Sequence, residues 1–75
     1  MNFNPNDIYD FEITMDDLFK NVEEGTLIRI NIYDNSKEHN LKIIEEYLEK
    51  HPNIFLSYDR YYDLTKEHEL YFGIK

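Results

Sequence analysis

The sequence predicts an α+β domain: a four-stranded mixed sheet with two helices on one face, in the order β-α-β-α-β-β. Three patterns carry that prediction. Ile28, Ile30 and Ile32 alternate with Leu27, Arg29, Asn31 and Tyr33 inside the run Thr26–Tyr33, the period of a strand. Met15, Leu18, Phe19 and Val22, and later Leu41, Ile44 and Leu48, recur at helical spacing. His68, Leu70, Phe72 and Ile74 alternate again near the end of the chain.

Each element follows from local chemistry. Residues 1–7 hold three Asn and a Pro without periodicity and are expected to form a flexible or loosely docked arm on a single domain spanning 1–75. Ile8–Ile13 places Tyr9, Phe11 and Ile13 on one side and Asp10 and Glu12 on the other, which predicts the first strand. Thr14, with Asp17 three residues on, has the shape of an N-cap. A helix is expected over 15–23, closed by Gly25. Thr26–Tyr33 is the second strand. Asp34-Asn35-Ser36 turns the chain and caps a helix over 37–50, which His51-Pro52 ends.

Asn53–Asp59 predicts the third strand, with Ile54, Leu56 and Tyr58 on one face, and Glu67–Ile74 the fourth. The segment 60–66 between them reads as a long exposed loop. Thr65-Lys66-Glu67 also has the form of a helix start, and the regular alternation at 68/70/72/74 favours the strand.

The expected core is Phe11, Ile13, Leu18, Phe19, Val22, Ile28, Ile30, Ile32, Leu41, Ile44, Leu48, Ile54, Leu56, Leu70, Phe72 and Ile74. The other sheet face would carry Leu27, Arg29, Asn31, Tyr33, Phe55, Ser57, Glu69 and Tyr71.

Composition narrows the function. Sixteen acids oppose eight Lys and Arg for a net charge of −8, which argues against direct binding of nucleic acid or of an anionic membrane. The first 25 residues hold seven acids and one base. Cysteine is absent, so neither disulfides nor thiolate metal sites form. No apolar run approaches the ~20 residues of a membrane span. Met1–Pro5 lacks the basic and apolar regions of a signal peptide. A cytoplasmic protein of a bacterial cell or phage-infected host is expected. Phe, Tyr, Met, Ile, Asn and Lys, with A/T-rich codons, make up 37 of the 75 residues, a bias of A/T-rich genomes.

No constellation specifies catalysis. Ser36 reads as a cap and Ser57 as a strand residue. The two glycines make no phosphate-binding loop. His39 and His51 would lie about 18 Å apart along one helix, too far to share an ion. His68 reads as a core-edge histidine. The expectation is a non-enzyme with no cofactor and no metal.

Asp16-Asp17 suit the first turn of a helix, where the dipole favours acids. Glu23-Glu24 fall at the end of the predicted helix, where it disfavours them. The dipeptide Tyr-Asp occurs four times, at 9, 33, 58 and 62. Tyrosine suits both strands and interfaces. These features select Asp10, Glu12, Glu23, Glu24, Asp34, Tyr58, Asp59, Tyr61, Tyr62 and Asp63 as candidate partner-binding residues.

In size, acidity, aromatic content and codon bias the chain resembles the small phage-encoded inhibitors of bacterial defence, of the anti-CRISPR and anti-restriction type. The resemblance covers the overall profile and involves no motif, so no residue role comes with it. It implies a non-catalytic inhibitor that binds a basic protein such as a nuclease effector, mimicking the charge of DNA in its groove. The alternative is an antitoxin, immunity partner or self-associating subunit that pairs through Tyr33, Phe55 and Tyr71 on the open sheet face.

Overall fold

The computed structural model describes residues 2–75; Met1, the first residue of the expected arm, lies outside them. The elements are β1 (Asn2–Phe3), α1 (Ile8–Phe19), β2 (Leu27–Tyr33), α2 (Lys37–Lys50), β3 (Ile54–Tyr62) and β4 (Glu67–Ile74). The fold is α+β, and its sheet proper is three-stranded and antiparallel. β4 lies in the middle, paired with β2 from Leu27↔Gly73 to Tyr33↔Glu67 and with β3 from Ile54↔Ile74 to Tyr62↔Glu67. β2 and β3 therefore run the same way, joined through α2, with β4 inserted between them. The two-residue β1 adds only a parallel pairing at the outer edge of β2, through Asn2↔Asn31 and Phe3↔Ile32.

The main correction concerns residues 8–13. They form the first half of α1 and not a strand, so the expected four-stranded sheet led by Ile8–Ile13 does not form. The cap is Asp7, whose side chain accepts a hydrogen bond from the Asp10 backbone N–H at 3.0 Å, while Asp10 accepts from the Asn6 N–H at 3.3 Å. The first bond satisfies one of the unpaired donors at the start of the helix, and the second ties down the residue before the cap. From that cap, Ile8, Phe11, Met15, Leu18 and Phe19 form one helical stripe packed into the core. Thr14 lies in mid-helix, and α1 ends at Phe19, with Lys20 as C-cap, before the expected 23. Gly25 lies beyond it in the turn to β2, at φ +89°, a left-handed conformation that glycine takes without strain.

Residues 2–7, expected as a flexible or loosely docked arm, make defined contacts. Phe3 packs against the core, its ring 6.0 Å from Phe11. Pro5 is buried, and its carbonyl accepts from Asn35 Nδ2 at 3.0 Å and meets His39 Nε2 at 3.2 Å.

α2 has the expected bounds, with Ser36 capping the His39 N–H at 3.2 Å. Its buried face is Asn40, Ile43, Ile44 and Tyr47, with Leu48 packed alongside. Ile13 faces solvent, and Val22, Leu41 and Ile74 are only half-buried and stand outside the packed cluster, four departures from the expected core. Both helices feed one cluster with Ile30, Ile32, Ile54, Leu70 and Phe72. Phe11 is at its centre, edge-on to Tyr47 at 5.3 Å and to Phe72 at 6.2 Å.

β3 contains an irregularity that the alternation does not reveal. Leu56 pairs with Phe72, but Tyr58 pairs with Tyr71, leaving Ser57 as an extra residue in a bulge. A one-residue insertion exchanges the faces of everything beyond it. Even-numbered residues face the helices before the bulge, odd-numbered ones after it. Tyr58 therefore joins the open face, and Asp59 and Tyr61 turn toward the helices. The segment expected as a loop from 60 to 66 is strand up to Tyr62. Only Asp63–Lys66 turn, with Lys66 at φ +54°.

Candidate partner-binding face

Two surfaces carry exposed apolar side chains, and their electrostatics differ. The first is the outer side of α1. At about 100° per residue, burying Phe11 and Met15 sends Ile13 to the opposite side of the helix. Ile13 is 72% exposed and Tyr9, one turn before it, 68% exposed. Asp10 and Asp17 flank them on one side and Asp16 on the other, all exposed. An open depression of about 560 Å³ beside Ile13 is lined by Thr14, Asp16, Asp17 and Lys20. From Asp7 to Glu24 the chain carries seven acids and only Lys20 as a base.

The second surface is the sheet face turned away from the helices. Its charges balance. Arg29 pairs with Glu69 at 2.9 Å, Glu67 accepts from Asn31 and from the Tyr33 hydroxyl, and Arg60 lies over the Tyr62 ring at 4.9 Å. Tyr58 meets Tyr71 edge-on at 5.7 Å. Phe55 lies across Gly73, where a Cβ would stand 2.7 Å from its ring. Leu27, 52% exposed, borders the same corner.

The expected binding residues do not converge on one patch. Asp10 is exposed on α1. Glu12 turns aside to His51, 3.2 Å away. Glu23 and Glu24 are exposed in the turn after α1, at the end of the sheet where Gly25 N–H donates to Ile74. Asp34 is at the other end, with φ +66° and its N–H donated to the Lys66 carbonyl. Tyr58 and Tyr62 belong to the open face, and Asp63 to the exposed hairpin tip. Asp59 and Tyr61 are structural. The Asp59 carboxylate meets His68 Nε2 at 3.0 Å, and the Tyr61 hydroxyl donates to the Asn35 carbonyl at 2.7 Å. Ile13, expected in the core, and Tyr9, expected beside it on one face of a strand, are the residues that sequence reasoning missed. The signal for them was the cap at Asp7 and the stripe beginning at Ile8.

Two polar clusters tie the helices down. In the first, Asn35 Nδ2 donates to Asn40 Oδ1 at 3.2 Å, Asn40 Nδ2 faces His68 Nδ1 at 3.1 Å, and His68 Nε2 meets Asp59. His68 and Asn40 are fully buried. The amide donors run in one direction, which assigns His68 the neutral tautomer with its proton on Nε2. The cluster contains no hydroxyl or amine nucleophile. In the second, Tyr47 donates to Asp16 at 3.1 Å and stacks on His51 at 4.3 Å, while His51 meets Glu12 at 3.2 Å and Asp16 at 3.8 Å. Burial pushes the Tyr47 phenol well above its ordinary pKa, and the carboxylates of Asp16 and Glu12 push the same way.

No protein-family model, curated protein or solved structure matches this chain. Among the described residues no helix is long and apolar enough to cross a membrane.

Proposed function

We propose that this chain is a non-catalytic inhibitor that docks the outer face of α1 into the basic, nucleic-acid-binding groove of a partner protein. One observation carries the reading: an apolar pair, Tyr9 and Ile13, stands exposed within a field of carboxylates in which Lys20 is the one base from Asp7 to Glu24. Such a surface offers charge where DNA offers phosphate, together with a short-range apolar contact that DNA lacks. Charge steers the encounter, and desolvated side chains hold the complex. The partner class is a nuclease effector, and the setting is the cytoplasm of a bacterium or phage-infected host. The test is binding to such an effector with and without its DNA, at low and physiological salt. DNA should compete with the inhibitor, and salt should slow association.

A second reading rests on the other surface. Leu27, Phe55, Tyr58 and Tyr71 form an apolar corner on a charge-balanced face, which a second copy meets without the self-repulsion of the helical layer. A salt-tolerant dimer in sedimentation, formed without any partner, favours this reading over the first.

A further inference from the structure

We infer that Glu12, Asp16 and His51 form a binding site for a divalent transition-metal ion of the zinc class, which would clamp α1 to the end of α2.

The three groups come from two helices. Glu12 and Asp16 are one turn apart on α1 and present two carboxylates on the same side of the helix. His51 is the C-cap residue of α2, and its ring is held by stacking on Tyr47. One ligand atom from each of the three lies within 4.8 Å of the others. Zinc binds imidazole nitrogen and carboxylate oxygen at roughly 2.0–2.2 Å. In a tetrahedron with bonds of that length, neighbouring ligand atoms stand about 3.4 Å apart. The imidazole nitrogen is 3.2 Å from Glu12 and 3.8 Å from Asp16, on either side of that spacing. A shift of a few tenths of an ångström in these partly exposed side chains brings both imidazole distances to it, and the two carboxylates lie within 4.8 Å of each other.

The surroundings supply what a bare acidic pair lacks. Tyr47 donates its hydroxyl to Asp16, an outer contact of the kind that orients a ligating carboxylate. Imidazole selects for the zinc class over magnesium and calcium, which take all-oxygen sets. Two carboxylates one turn apart repel each other, and a cation relieves that repulsion more completely than one imidazole does. Three protein ligands leave a fourth position for water.

The test uses the full chain and metal salts alone. Zinc at a hundredfold excess over its dissociation constant should raise the melting temperature by about 10 °C or more, while magnesium at equal concentration should not. Cobalt(II) should give the visible absorption of a four-coordinate ion on the wild type, a reading that needs no variant. Glu12→Gln and His51→Ala should each weaken zinc binding more than tenfold, Tyr47→Phe about tenfold or more, and His39→Ala not at all. The inference is overturned if zinc binds only at millimolar concentration, if His51→Ala binds it like the wild type, or if His39→Ala abolishes the effect.

Discussion

Tyr61 and Tyr62 are neighbours in the chain and face opposite sides of the sheet. Tyr61 turns toward the helices, donates its hydroxyl to the Asn35 carbonyl at 2.7 Å and sets its ring edge-on to His68 at 5.4 Å. Tyr62 lies on the open face beneath Arg60. One residue is a structural tie and the other a surface group. Tyr61→Phe should lose about 1 kcal/mol of stability, the worth of one hydrogen bond. Tyr62→Phe should lose none. Urea unfolding of the two variants measures this, and equal losses would contradict the face assignment.

The course of α1 makes a sharper contrast between residues two apart. Phe11 is fully buried and Ile13 is 72% exposed, whereas a strand would place both on one side. Phe11→Lys should abolish cooperative melting. Ile13→Lys should stay within about 0.5 kcal/mol of the wild type, as surface substitutions do.

What the sequence made legible, and what it hid, follows from the range of the interactions. α2 was legible to the residue because a local cap, Ser36, and a local stop, His51-Pro52, mark its ends. β2 and β4 were legible because every second residue is apolar. The start of α1 was not, since Tyr9, Phe11 and Ile13 mimic a strand over six residues, and only the longer stripe from Ile8 to Phe19 breaks the tie. The bulge at Ser57 was hidden because it depends on pairing with β4. It decides the faces of Tyr58, Asp59 and Tyr61, and so most of the expected site near the hairpin. The approach of His51 to Glu12 and Asp16 is a contact between helices that no spacing within one element encodes.

Asn40 is fully buried and links Asn35 to His68. Asn40→Leu should leave the buried His68 Nδ1 without a partner, at about 1–3 kcal/mol for a buried group left unsatisfied, while Asn35 keeps its bond to the Pro5 carbonyl. A loss in that range is expected in chemical denaturation. A variant as stable as the wild type would show that the chain of hydrogen bonds contributes nothing.

Tyr47 imposes a limit at alkaline pH. Its phenol keeps its proton in the fold beyond the ordinary value of 10.0, while in the unfolded chain it releases it there. Above about pH 10 the unfolded state binds fewer protons, so stability falls as pH rises; below it this group adds no pH dependence. Tyr47→Phe lacks that proton. At pH 7 it should be less stable by about 1–3 kcal/mol, for the lost bond to the Asp16 carboxylate. That deficit should shrink above pH 10. Parallel stability curves for the two proteins would contradict the assignment.

Engagement of a basic groove by the outer face of α1 is tested most directly by binding kinetics against a candidate nuclease effector. Asp10→Asn with Asp17→Asn removes two charges and keeps a capping group at Asp10, and Tyr9→Ala with Ile13→Ala removes the apolar contact. The account predicts slower association for the first pair, most visibly at low salt where the Debye length exceeds ~10 Å, and faster release for the second, by about 2 kcal/mol or more if either residue anchors the complex. It also predicts that DNA in the groove blocks binding. Unchanged kinetics for both pairs, with equal binding to the DNA-occupied effector, would contradict it.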